Sequence, residues 1–375
     1  MRYSNFLSGL RVLDLSQFVP GPYATQILAD MGADVLKVEP PTRDPLLDLS
    51  ADCSSGGVGD LYELLNAGKR IVCIDLKSSD GRAAFSEFVR KTDVLLESYR
   101  PGVMERLGLA YHAVKEINPS TVYCSLSGYG QTGPYQHRAG HDINYLAMTG
   151  ALSAMGPSSK PSPAFPPMSD YGGALQAASS ILGALFHRER TGRGTFIDIA
   201  MADTVLAWQA YGLANMISSE NKCGKKNNRE SWLLNGGAAC YNIYKTLDEQ
   251  FIAIGAIEHK FWKNFCNAIE KPGWILRQNE RKPQKLLISD VATVISRKSM
   301  SDWDLVLSKV DCCYHPVLGF GDILHLGQIR ERKVVCSEGK KIEMRSPVWI
   351  DETPPLERSS VKKVSIEEAM MNWKG

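Results

Sequence analysis

The chain has 375 residues, 44% of them apolar, which is ample for a buried core and longer than most single domains, so two domains are expected. Its 43 basic residues nearly cancel 41 acidic ones, leaving no basic excess to argue for a nucleic-acid partner. Nine cysteines (Cys53, Cys73, Cys124, Cys223, Cys240, Cys266, Cys312, Cys313 and Cys336) form no Cys-x-x-Cys pair, which speaks against a disulfide framework or zinc site and suits a reducing compartment. The N-terminus reaches Arg11 and Asp14 without an apolar stretch, so no signal peptide is expected. The longest weakly polar run, Leu175 to Phe186, is too short to span a bilayer. The C-terminus, Asn372-Trp373-Lys374-Gly375, carries no peroxisomal address. A soluble cytoplasmic protein with no membrane partner is the expectation.

In chain order, Leu10–Leu15 reads as a strand, followed by a turn at Gly21-Pro22 and helical spacing over Tyr23–Met31. Further strands are expected at Asp34–Val38, Arg70–Asp75, Val94–Glu97 and Thr121–Leu126, with helices at Ser79–Thr92 and Tyr111–Ile117. Strands separated by such helices imply an α/β fold with a parallel sheet covered on both faces. A long helix over Asp170–Arg190, a strand at Gly194–Ile199 and a helix through Val205–Met216 follow. The polar, Lys/Asn-rich stretch Ser218–Glu230 reads as a linker or loop. Beyond it, Cys240–Thr246 and Phe251–Ala256 resemble paired strands around Leu247-Asp248-Glu249, Phe261–Ile269 reads as a helix, and a smaller α+β domain extends to about Val335. Pro347 and Pro354-Pro355 predict a mostly extended tail.

Gly128-Tyr129-Gly130-Gln131-Thr132-Gly133 matches G-x-G-x-x-G after a strand, but Pro134-Tyr135-Gln136-His137-Arg138 follows without helical period and no acidic ribose partner comes later. A loop that allows close approach of a ligand or another chain is the better reading. His141 stands between that loop and a helix-like run, Tyr145–Leu152. Asp170, after Pro166-Pro167-Met168-Ser169, stands at a helix start, where capping accounts for it and would lower its pKa, favouring the carboxylate. Glu258 lies between a strand and a helix, where a helix-start role is the ordinary one; a carboxylate there can also orient an imidazole.

Taken together, these segments resemble the class III CoA-transferase superfamily, and within it most closely the alpha-methylacyl-CoA racemases, from about Leu10 to Val335. Superfamily features are Arg11–Leu15, Met31–Glu39, Asn66–Arg70, Tyr99–Val103 with Arg106–Leu109, and Arg188–Gly194. Three segments are similar to racemase motifs: Gly140–Leu146 with His141, Asp170-Tyr171-Gly172-Gly173, and Gly236-Gly237-Ala238 followed by Tyr241, Tyr244 and Gly255–Glu258. Asp311–Val317 also matches the family pattern. Pro40 stands where the family usually has Arg (Arg43 is near), Ala174 where it often has a third Gly, and Gly321-Asp322 where a Glu is more usual. The approach from Pro166 to Asp170 is shorter than is common. These departures bear on the acyl preference.

The resemblance implies a Rossmann-like CoA-binding large domain over 1–217 to which 336–375 returns, a linker over 218–235 and a small α+β domain over 236–335. It further implies an interlocked homodimer, in which Glu258 of one chain would meet His141 of the other. The implied activity is inversion of the carbon next to the thioester carbonyl of 2-methylacyl-CoA. Such inversion needs two groups flanking one plane, each able to act as acid or base, and His141 and Asp170 are the expected pair. Tyr171, Gly172 and Asp142, with backbone N–H groups near Asp170, are expected to support the enolate. Lys69, Arg70, Arg100, Arg106 and Tyr129 are the expected coenzyme A contacts. Met148, Met155 and Met168 offer either an adaptable acyl surface or ordinary packing. Coenzyme A is part of the substrate, and no metal or other cofactor is expected. The alternatives are a CoA-transferase working through covalent attack by Asp170 and a non-catalytic acyl-CoA binding protein.

Overall fold

The computed structural model describes residues 5–47, 58–218, 229–338 and 341–373. Cys53, Cys223 and the middle of the expected linker lie outside them.

The first part of the chain alternates strands and helices: β1 (Arg11–Leu15), α1 (Pro20–Asp30), β2 (Asp34–Glu39), α2 (Val58–Asn66), β3 (Arg70–Cys73), α3 (Ser79–Val89), β4 (Val94–Glu97), α4 (Val103–Leu107), α5 (Tyr111–Ile117) and β5 (Val122–Ser127). α6 (Asp142–Met148), α7 (Met168–Thr191), β6 (Phe196–Ala200) and α8 (Met201–Ala207) follow. Gly21-Pro22 is not a turn as expected but lies in the first turn of α1, because Pro20 at its first position needs no N–H partner there. Ser78 caps α3 by accepting the Gly81 N–H at 3.0 Å. The helix expected over Val205–Met216 is two helices, α8 and α9 (Ala210–Ser218).

The smaller compact unit comprises Gly150–Ala164 and Tyr211–Ile323. Within it β7 (Tyr241–Lys245), β8 (Phe251–Gly255), α10 (His259–Ala268), α11 (Lys285–Ile295), α12 (Met300–Leu307) and β9 (Tyr314–Pro316) surround a core that includes Trp262, Phe265, Val291 and Trp303. The three strands form an antiparallel sheet in the order β7-β8-β9. Residues 150–164, expected in the large domain, belong here because the Arg229 side chain donates to the Pro157 carbonyl at 2.9 Å and Asn235 to that of Ala154 at 3.2 Å.

The larger unit comprises Met1–Thr149, Phe165–Ala210 and Leu324–Gly375. Residues 324–335 fall in it rather than in the small domain, since Trp349 donates to the Arg332 carbonyl and the Arg345 N–H to that of Val334. The tail is more structured than its prolines suggest, with a hairpin of β10 (Val335–Glu338) and β11 (Lys341–Met344), then β12 (Lys362–Lys363) and the helix α13 (Ile366–Asn372). The large sheet has seven parallel strands in the order β12-β3-β2-β1-β4-β5-β6. One face is covered by α1 and α7, whose Ala174, Ala177 and Ile181 are buried against Val12, Leu96 and Leu126. The other face buries Phe85 and Phe88 of α3 with Trp373 of the tail. Trp373 has no exposed surface and donates its indole N–H to Asp34 at 3.0 Å, so truncating it would cost about 3–5 kcal/mol. Among the described residues, no helix is long and apolar enough to cross a membrane.

Candidate active site

Open parallel sheets bind ligands beyond the carboxyl ends of their strands. From the end of β5 the chain runs through Gly128–Gly140 before α6 begins at Asp142, so no helix opens at Gly133 to receive a pyrophosphate. The glycines answer a packing demand instead. Tyr145 donates its hydroxyl to the Gly140 carbonyl at 2.6 Å and stacks edge-on against Tyr129 with centroids 5.1 Å apart. A Cβ on Gly128 would stand 2.3 Å from the Tyr145 oxygen, and one on Gly140 2.8 Å from its ring.

This loop delivers His141 to the start of α6. The His141 N–H donates to Asn144 Oδ1 at 3.0 Å, leaving an exposed imidazole whose ring meets that of Phe18 edge-on at 6.3 Å. Asp142 reaches across to the start of α7, accepting the Ser169 N–H at 2.6 Å and its hydroxyl at 2.5 Å. Two helix starts are thereby joined through the residues adjoining His141 and Asp170.

Asp170 does not cap α7 as expected, because Pro167 holds that position. Its carboxyl is pushed up to about 7, first by burial and second by the charge of Asp142. The direction is opposite to the one capping predicted, since loss of water outweighs the helix dipole. Tyr171 and Gly172 do not fit the enolate role assigned to them. The Tyr171 N–H is engaged with the Pro167 carbonyl at 3.2 Å and its ring packs on Tyr23. Gly172 is buried under Trp208, where an added Cβ would lie 2.2 Å from the indole, so close packing explains the glycine. Helix geometry leaves the N–H groups of Met168, Ser169 and Asp170 outside the helical ladder, and that of Ser169 goes to Asp142.

The expected cations separate into two groups. Lys69 is fully buried, donating to Asn66, Thr25 and the Pro22 carbonyl while pairing with Asp14 at 3.2 Å, so its ammonium is not available to a phosphate. Burial by itself would raise the Asp14 carboxyl, but Lys69, Lys37, Ser16 and Thr25 hold it down at about 2. Arg70 starts β3 at the amino end of the sheet, where its Nη2 bonds both oxygens of Asp34 at 2.6 Å; it too is structural. Arg100 and Arg106 are exposed around Gly102 beyond the carboxyl end of β4. Tyr129 is half-buried between Tyr135 and Tyr145 and walls the loop. Glu258 is the exposed N-cap of α10 in the smaller unit; in the larger unit the Asp142–Ser169 bond joins the two helix starts at which His141 and Asp170 stand. Met148 is exposed at the end of α6, and Met168 opens α7.

Sequence reasoning missed a pocket of about 240 Å³ beside the carboxyl end of β4 and the middle of β5, lined by Glu97, Arg100, Tyr111, Ser125, Gln131 and Phe196. Glu97 at its base is buried, and burial raises its carboxyl to about 7 against the hydrogen bonds from Ser125 and the Tyr99 N–H. The signal was present as an acid closing the otherwise apolar strand Val94–Leu96. The smaller unit carries a separate groove of about 670 Å³ over β7–β9, lined by Leu234, Tyr241, Ile243, Ile254, Cys313 and His315.

Comparison with known proteins adds the family context. The model of CoA-transferase family III matches residues 7–360. The chain is 34% identical to an alpha-methylacyl-CoA racemase of Mus musculus, over 96% of this chain and 91% of that protein. It is 31% identical to an acetyl-CoA:oxalate CoA-transferase of Acetobacter aceti, over 97% of this chain and 94% of the other. The crystal structure of a CAIB/BAIF family protein from Brucella suis shares the fold, with a TM-score of 0.81 and 24% identity over 98% of both chains.

Proposed function

Because the chain belongs to CoA-transferase family III, we propose that it racemises 2-methylacyl-CoA thioesters by proton transfer through an enolate, with His141 and Asp170 as the acid–base pair. The observation that carries this reading is the junction of the two helix starts, where Asp142 bonds Ser169 and where burial, with the Asp142 charge second, pushes the adjacent Asp170 carboxyl up to about 7. A carboxyl poised there is present in both protonation states near neutrality, as a group that must both take and give a proton requires. One member removes the α-proton, leaving the thioester enolate. The other, already protonated, delivers its proton to the opposite face. The pair ends with its protonation states exchanged and resets by proton exchange with water.

In this reading Arg100 and Arg106 meet phosphates of coenzyme A, Glu258 orients His141 within a homodimer, and no metal or redox group takes part. The dimer is supported by apolar side chains left open on the larger unit, among them Leu175 and Phe186 of α7 and Trp208 after α8. A cytoplasmic setting agrees with the seven free thiols among the described residues.

The second reading is a CoA-transferase in which the Asp170 carboxylate attacks the thioester, and the 31% identity to an oxalate CoA-transferase keeps it in view. Two variants separate the readings. For a racemase, His141→Ala and Asp170→Asn each lose at least ~100-fold in racemisation, the low end of general acid–base contributions. For a transferase, Asp170→Asn abolishes transfer to an added carboxylic acid while His141→Ala largely keeps it. Near-wild-type racemisation by either variant would sink the two-base mechanism.

A further inference from the structure

The Tyr99–Gly102 turn carries Arg100 and is short of regular structure, yet it is anchored from below. Glu97 Oε2 accepts the Tyr99 N–H at 2.8 Å, and Oε1 accepts the hydroxyl of Ser125 on the neighbouring strand. Ser125 in turn accepts from Gln131 Nε2 at 2.7 Å, and the Gln131 backbone N–H is held by the Asp198 carboxylate at 3.0 Å. Gln131 belongs to the loop that leads to His141. One carboxyl, 4% exposed, thus links the Arg100 turn to the loop that positions the candidate acid–base group.

We propose that Glu97 is a positioning residue, whose carboxylate pins the Arg100 turn to the β5–α6 loop and so couples binding of the anionic end of the ligand to its own ionisation. The proposal rests on the reading that Arg100 meets coenzyme A. As a carboxylate, Glu97 accepts from both Tyr99 and Ser125; once protonated, it loses acceptor capacity and the tether slackens. The pocket beside it gives the proton a path. The groups facing it are Glu105 of α4 and Asp198 of β6, which raise its pKa after burial, and Arg100 and His112 on the pocket wall. Tyr123 and Cys124 of β5, both pushed upward by burial, stay neutral across this range.

The test uses the full-length protein with coenzyme A as probe, comparing wild type with Glu97→Gln, which keeps the shape and removes the titration. In wild type, coenzyme A affinity falls about 10-fold from about pH 8 to about pH 6, the equivalent of one charge-assisted hydrogen bond. In Glu97→Gln it is already weak at about pH 8 and falls only by the shallower amount set by the phosphomonoester of coenzyme A, whose second pKa is about 6. Amide exchange of Tyr99, Arg100 and Gly102, corrected for intrinsic rates, accelerates over the same range in wild type only. The folded carboxyl sits above its ordinary value, so its ionisation opposes folding as pH rises, and Glu97→Gln at about pH 8 should melt no lower than wild type. Wild-type affinity in Glu97→Gln at every pH, or protection lost across the whole sheet, would overturn the proposal. Arg100→Ala tests the coenzyme A reading separately: wild-type affinity there removes that reading, while the exchange data still decide the tether.

Discussion

Asp142 accepts the backbone N–H of Ser169 at 2.6 Å, a bond between residues 27 positions apart that fastens the start of α6 to the start of α7. Each bonded residue adjoins a candidate catalytic group, so the bond fixes where the backbones of His141 and Asp170 stand. The Asp142 charge also raises the pKa of Asp170.

This dual role separates two substitutions. Asp142→Asn keeps an oxygen for the Ser169 N–H but removes the charge, so the Asp170 limb of the pH–rate profile moves to lower pH from its position at about 7, with burial still holding it above the ordinary range. Asp142→Ala leaves the buried donor unsatisfied and should cost about 1–3 kcal/mol in stability as well. A pH–rate profile and a denaturant melt of both variants check this, and an unmoved limb in Asp142→Asn would show that Asp170 does not set it.

Gly172 should be intolerant of a side chain for reasons of packing. Gly172→Ala places a methyl group against Trp208, with an expected loss of about 1–3 kcal/mol by overpacking. Trp208→Ala in the same chain should relieve that loss, which a double-mutant cycle on thermal unfolding would register as coupling. Additive effects would contradict the account of this glycine.

Lys69 should behave as a core residue. Lys69→Met leaves Asp14 buried without its partner and should cost about 3–5 kcal/mol, while protein that remains folded keeps its coenzyme A affinity. The sign of the pH effect follows from Asp14. Its folded value of about 2 lies below the ordinary 3.8, so the stabilisation is present above 3.8 and is lost as pH falls from there through about 2. Lys69→Met should lose stability at neutral pH and show less acid sensitivity in that window.

Much of the large sheet was legible because each strand is a short apolar run bounded by turn or cap residues: the strand Val94–Glu97 falls where its pattern predicts, and so does the helix Tyr111–Ile117 beside it in sequence. What escaped depends on contacts between residues distant in sequence. Nothing local indicates that the ammonium of Lys69 turns inward to Asp14, 55 positions away, or that Arg70 meets Asp34 at the amino end of the sheet. The pKa of Asp170 was read in the wrong direction because its helix-start position is visible in sequence and its burial is not. The division at residues 150–164 was missed because hydrogen bonds to 229–235 decide it. Motif resemblance singles out His141 and Asp170 only as candidates, and the bond between Asp142 and Ser169 that joins their helix starts is visible only in the structure.

The most direct test of the account is proton NMR of the purified protein with one enantiomer of a 2-methylacyl-CoA in deuterium oxide, with no acceptor acid present. Racemisation through His141 and Asp170 predicts that the α-proton signal disappears together with optical purity. Retention of both, with coenzyme A transfer appearing once a free carboxylic acid is added, would contradict it and assign Asp170 to covalent catalysis.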